Sequence, residues 1–202
     1  MTKLRSALAA SAALALAGLL SGCAGAVIGA GATAGVAAAE ERGLEGAVDD
    51  TKIRAEINHY WFQHDVEMYR KVGLTISEGR VLLTGVVPTD GARADAVRLA
   101  WQAAGVREVI NEIAVRPAGT DLIDDGRDVV ISQTLKTRLL FDREIKNINY
   151  TVDVVDGVVY LMGIAQSEGE LERVIAHARD ISNVKRVVSH VRLKDDPRRH
   201  QG

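Results

Sequence analysis

"GRVLLTG" (residues 79–85) and "GVVYLMG" (residues 157–163) are two versions of one pattern: a glycine, an apolar run, and a closing glycine. Each follows an acidic residue, so "EG" (78–79) and "DG" (156–157) read as tight hairpin turns, where Gly79 and Gly157 supply a positive φ. "GLTIS" (73–77) and "YTVDVV" (150–155) precede the turns and alternate with period two, so they predict the first strands. "RVLLTG" and "VVYLMG" predict the second, with Gly85 and Gly163 opening a bend or bulge. Upstream, Ile53 and Ile57 share one face of a helix over 50–62, and Ile131 and Leu135 share one face over 128–140. Asp49 or Asp50 is placed to cap the earlier helix. Downstream, helices are expected over 90–104 and 168–182. The latter carries Ser167 and Glu170 as a capping box and Leu171, Val174, Ile175 and Ala178 as a buried stripe. Last strands over 107–115 and 185–193 close each copy.

The two copies superpose without a gap at a shift of 78 residues. Leu74 and Ile76 meet Val152 and Val154; Val81 and Leu83 meet Val159 and Leu161; Val106 and Val109 meet Val184 and Val187. The chain is therefore expected to be α+β, with two tandem α-β-β-α-β units. Each is a small three-stranded mixed sheet packed against two helices. The units span 51–116 and 129–194, joined by 117–128 and followed by a polar tail over 195–202. Neither is large enough to be comfortably stable alone, so the two are expected to pack together.

The start of the chain has a different composition. Lys3 and Arg5 precede a short apolar run over 6–20, too short for a comfortable membrane span. Then comes Leu20-Ser21-Gly22-Cys23, with the only cysteine of the chain. This resembles the bacterial lipobox, which implies a signal peptide over 1–22 and acylation of Cys23. Each buried CH₂ contributes roughly 0.8 kcal/mol, and three acyl chains make a firm anchor. By resemblance to sorting rules, Ala24 after the cysteine directs the protein to the outer membrane, facing the periplasm. Residues 24–39 are an uncharged Ala/Gly-rich spacer, either a flexible stalk or a small-residue helical strip. The leader, 23–50 in all, ends in the acidic "EERGLEGAVDD" (40–50).

Composition narrows the chemistry. The formal charge of -2, which becomes -4 once Lys3 and Arg5 are removed, gives no sign of a nucleic-acid partner, and none is expected. A single cysteine excludes an internal disulfide and a thiolate zinc cluster. Glu56, His59 and His64 lie near one another in sequence without the convergence a metal site requires. Ser132, Ser167, Ser182 and Ser189 have no persuasive base beside them. Gly79, Gly85, Gly157 and Gly163 lack the strand-to-helix context of a phosphate loop and read as structural. Trp61, Phe62 and Trp101 read as core or domain-interface residues. No catalytic residue, metal ligand or cofactor is expected.

The tandem "GxVxLxG" cores, the "NVKRVVSHV" ending (183–191) and the "RGLEGAVDD" leader (42–50) resemble the BON domain. Nearly the whole chain is similar to the dual-BON outer-membrane lipoproteins of Gram-negative bacteria. That resemblance implies a non-enzymatic envelope protein that binds anionic phospholipid, such as phosphatidylglycerol, through the second domain and gathers at division sites. It also implies possible envelope or division-protein partners. The first helix of the second domain, Val129 to Arg143, is the implied lipid-contacting element. Close members carry a tryptophan where this chain has Val130. Val129 and Val130 are then candidates for apolar insertion, and Lys136, Arg138, Arg143 and Lys146 for phosphate contact. The alternative is a chaperone-like or protein-interaction module that does not recognise lipid head groups.

Overall fold

The computed structural model describes residues 35–117 and 125–199. The signal segment, Cys23, the spacer through residue 34, linker residues 118–124 and the last three residues lie outside the described residues. The described residues from Ala39 onward form one compact unit. Both hydrophobic cores lie inside it.

The first domain runs α1 (Gly43–His64), α2 (Val66–Lys71), β1 (Val72–Ser77), β2 (Arg80–Val87), α3 (Asp90–Ala100), β3 (Glu108–Asn111) and β4 (Ala114–Val115). The second runs α4 (Asp125–Phe141), β5 (Tyr150–Val155), β6 (Val158–Ala165), α5 (Glu168–Arg179), β7 (Arg186–Ser189) and β8 (Arg192–Leu193). A 3-10 turn over Asn147–Asn149 stands where the first domain has α2.

In each sheet the second strand is central. β2 is antiparallel to β1 and parallel to β3 and β4; β6 is antiparallel to β5 and parallel to β7 and β8. The last strand of each copy is broken in two rather than continuous. Gly85 and Gly163 make no bulge. Val72 pairs with Gly85 and Tyr150 with Gly163 in unbroken register, and β2 and β6 run on to Val87 and Ala165.

Helix ends also differ from the sequence reading. α1 starts at Gly43, so neither Asp49 nor Asp50 caps it. Asp50 is instead buried inside the helix, where its carboxylate accepts from the backbone N–H groups of Glu78 (3.0 Å) and Gly79 (2.9 Å). Asp128, its equivalent in α4, accepts from Asp156 (2.5 Å) and Gly157 (2.8 Å). In both copies a carboxylate from the helix therefore holds the hairpin turn. Those turns have positive φ at both central residues, Glu78 (56°) with Gly79 (72°) and Asp156 (52°) with Gly157 (73°). This is the backbone of a two-residue hairpin.

α3 and α5 stop at Ala100 and Arg179, short of the expected ends. Thr89 and Ser167 cap them through Ala92 N–H and Glu170 N–H. The Ser167–Glu170 box is only half formed, because Glu170 reaches the N–H groups of Gln166 and Lys146 instead of Ser167. Along α5, Val174 and Ala178 are fully buried, while Leu171 and Ile175 are partly buried.

Alternation along the central strands builds four layers. Val81 and Leu83 face α1 and α3 in one core; Val159 and Leu161 face α4 and α5 in the other. The intervening side chains, Leu82, Tyr160 and Met162, form a third cluster with Ile110 and Val188. The two sheets thus pack back to back, with helices on both outer sides. Trp61 lies in the first core and donates through Nε1 to the Ala96 carbonyl at 3.1 Å. Phe62 and Trp101 are exposed, contrary to the expectation for all three aromatics.

The packing is reciprocal. Glu78, in the first hairpin turn, is gripped by Arg199 from beyond the second domain's last strand (Nη2–Oε1 2.7 Å). Asp156, the equivalent turn residue, is gripped by Arg116 from the end of the first domain. Arg80 and Arg192 share Glu108 between the domains, at 2.8 and 2.9 Å. Thr84 bonds Asp153 across the same seam.

Candidate functional site

α4 has two faces. Ile131, Leu135 and Leu139 recur every four residues and fill the second core. On the opposite side Val129 and Val130 are exposed near the start, and Leu140 (61% exposed) and Phe141 (77% exposed) at the end. Gln133, Lys136 and Thr137 lie between them, also exposed. At 1.5 Å per residue this stripe is about 18 Å long.

The stripe belongs to one copy only. At the positions equivalent to Val129, Val130 and Phe141 the first domain has Thr51, Lys52 and Gln63. Only Leu140 has an apolar counterpart, Phe62, whose ring meets Tyr69 edge-on with centroids 5.8 Å apart. Because the sheets pack back to back, the outer faces of α1 and α4 point away from each other. A single flat surface meets one of them and not both.

The end of α4 is fixed to α5. Arg138 donates to Asp180 at 2.8 Å and to the His177 carbonyl at 3.3 Å. His177 Nε2 lies 2.7 Å from Asp142, which also accepts from Glu144 N–H. The His177 bond, aided by Glu144 N–H, holds the Asp142 carboxyl below the usual carboxylate range.

The residues named from sequence therefore divide. Val129, Val130 and Lys136 share the exposed face, and Lys136 has no ion-pair partner among the described residues. Arg138 is committed to α5. Arg143 and Lys146 lie past the helix, on the wall of a neighbouring cleft. Lys146 faces Glu41 of the leader at 3.6 Å. Leu140 and Phe141 escaped the sequence reading. Continuing the spacing 129, 130, 133, 137 to 140 and 141 would have found them.

The discarded metal candidates point elsewhere. Glu56 accepts from Ala104 N–H, and His64 pairs with Asp95. Among the described residues no group of three or more His, Cys, Asp or Glu side chains is placed to hold a metal ion. None of the described helices is long and apolar enough to cross a membrane.

Three relatives place this geometry. An "Uncharacterized protein in gshII 5'region" of Anaplasma centrale is 45% identical over 147 residues, covering 73% of this chain and 96% of the relative. "Outer membrane lipoprotein DolP" of Haemophilus influenzae is 30% identical over 178 residues, covering 87% and 91%. "Osmotically-inducible protein Y" of Escherichia coli is 26% identical over 148 residues, covering 73% and 74%. The BON domain matches twice, over residues 49–117 and 127–195. With both copies folded as two helix-backed mixed sheets, the chain belongs to the BON family as a tandem two-domain member.

Proposed function

We propose that this is a lipid-anchored protein of the bacterial envelope that supports outer-membrane integrity by binding anionic phospholipid through α4 of its second BON domain. The observation that carries the reading is the exposed stripe Val129–Val130 to Leu140–Phe141 with Lys136 between its ends. Exposed apolar groups that a soluble domain has no reason to cluster mark a contact surface. A helix lying flat buries such a face in the head-group region. Phe141 supplies an aromatic ring at the end of the helix opposite Val130. Acylated Cys23 is the proposed anchor, and the resemblance to an outer-membrane lipoprotein supports an outer-membrane, periplasm-facing location. Each cation beside an anionic surface adds about 1 kcal/mol, so the anchor supplies attachment and α4 supplies preference.

A second reading rests on Phe62, Val66 and Tyr69, exposed on the outer side of the first domain. It makes this surface a protein contact that needs no lipid recognition by α4.

Flotation of residues 39–202 with vesicles of phosphatidylcholine, with and without phosphatidylglycerol, tests the first reading. Wild type should float only with phosphatidylglycerol, less so at high salt, and V130D/F141S should not float. Failure of the wild type to float on either vesicle removes the lipid reading and leaves the protein-contact one.

A further inference from the structure

Beyond the end of α4 lies an open cleft of about 630 Å³. Arg143, Lys146 and Arg173 line it, with Gln166, Ser167 and Glu170. Arg143 also lines the adjoining hollow that contains Phe141. Three cations, with the carboxylates of Glu144 and Glu170 among them, thus sit beside the apolar end of the stripe.

The fold does not require these cations. At the equivalent positions the first domain has Asp65, Met68 and Asp95. Two acids and a thioether there are three cations here, while Glu144 and Glu170 stand where the first domain has Val66 and Ala92. The carboxylates in the cleft are already occupied: both Glu170 oxygens accept backbone N–H groups, from Lys146 and Gln166, and Glu144 pairs with Arg173. Arg143 has no ion-pair partner among the described residues.

The rim of the cleft already holds an anion. Glu41 of the leader accepts a hydrogen bond from Gln166 Nε2 at 3.1 Å, and its carboxylate lies 3.6 Å from Lys146 Nζ. Its backbone N–H is tied to Asn149 at 2.8 Å, which fixes it in place. The Gln166 bond, aided by Lys146 and opposed by burial, lowers the Glu41 carboxyl below its usual range.

We propose that this cleft is the head-group subsite, seating the phosphate of an anionic phospholipid on Arg143 and Lys146, with Arg173 held beside them by Glu144, while Leu140 and Phe141 meet the acyl region. The inference rests on the membrane reading of α4. Glu41 is then a built-in competitor: it neutralises Lys146 until a phosphate with a greater charge density arrives.

The test measures binding of residues 39–202 to phosphatidylcholine vesicles with and without phosphatidylglycerol. R143Q and K146Q should each weaken binding to the anionic vesicles roughly five-fold, and E41Q should strengthen it. K52Q, which removes the same charge from the outer face of α1, should change it little. Equal weakening by K52Q would leave net charge as the cause and overturn the subsite. Amide shifts on adding glycerol 3-phosphate or inorganic phosphate give a second readout. Shifts at Arg143, Lys146 and Gln166, together with vesicle binding, support the head-group assignment. The same shifts without vesicle binding assign the cleft to a free phosphate and overturn it. If wild type binds anionic vesicles and F141S weakens this while R143Q, K146Q and E41Q do not, the α4 surface stands and the subsite falls.

Discussion

Glu112 and His190 occupy the same position in their respective repeats, 78 residues apart, and they bond each other: His190 Nε2 lies 2.9 Å from Glu112 Oε1. Equivalent residues meet only on an approximate two-fold axis. Leu82 with Tyr160 and Ile110 with Val188, both equivalent pairs, share the cluster between the sheets. The tandem repeat is thus a dimer made within one chain.

The axis makes the Glu112–His190 pair exchangeable. E112H alone places two imidazoles together, and H190E alone places two carboxylates together. The double variant E112H/H190E restores one of each. Urea unfolding should show both singles destabilised and the double close to wild type, with a coupling of about 0.5 kcal/mol or more.

D50N and D128N each keep the shape of the side chain and lose one acceptor oxygen. One turn N–H, at Glu78 or Gly79 in the first case and at Asp156 or Gly157 in the second, then lacks its partner. Each variant should lose roughly 1.5–3 kcal/mol, seen as a lower urea midpoint at unchanged slope.

Gly85 and Gly163 have φ of 109° and 136°, and an added Cβ would lie 2.2 Å from the Lys71 carbonyl oxygen or 1.9 Å from that of Asn149. The obstacle is backbone and cannot swing aside. G85A and G163A should each cost at least about 3 kcal/mol or prevent folding. G91A in α3 meets nothing nearer than Thr89 Oγ1 at 3.8 Å. It should be neutral or gain about 0.4–1 kcal/mol, read as a rise in Tm.

Asp156 is held below the ordinary carboxylate range by Lys185 first and by Arg116 second. Its depressed folded-state pKa stabilises the protein in full above the unfolded carboxyl value of about 3.9. That contribution is lost as the pH falls through the lower folded value. Since Arg116 comes from the other domain, R116Q should be less stable than wild type at pH 7. Denaturation curves of the two should converge as the pH falls below about 4.

Leu82 is 1% exposed and Phe141 is 77% exposed. L82A opens a void between the sheets and should cost about 2–5 kcal/mol. F141A should stay within about 0.5 kcal/mol of wild type while weakening binding to anionic vesicles. Thermal melts and flotation on the same samples separate the two effects.

The repeat, the order of elements and the hairpin turns were legible in the chain, because strand alternation, helical four-residue spacing and turn glycines are local properties. The apolar spacing of α4 was legible too, although its last two members, Leu140 and Phe141, were missed. Other features were hidden because they join distant residues. Asp50 looked like a helix cap and proved to be the anchor of a turn 28 residues on. Arg138 looked like a free cation and is held by Asp180, 42 residues away. Local pattern alone determined that each copy is a helix-backed mixed sheet. Only the tertiary structure decided that Leu82 and Tyr160 bring the two sheets back to back. Period-two alternation says that a strand has a second apolar face, and it does not say what covers it. Once the sheets cover each other, the helices are left outermost. That turns the stripe of α4 toward solvent and the Phe62–Tyr69 pair the opposite way.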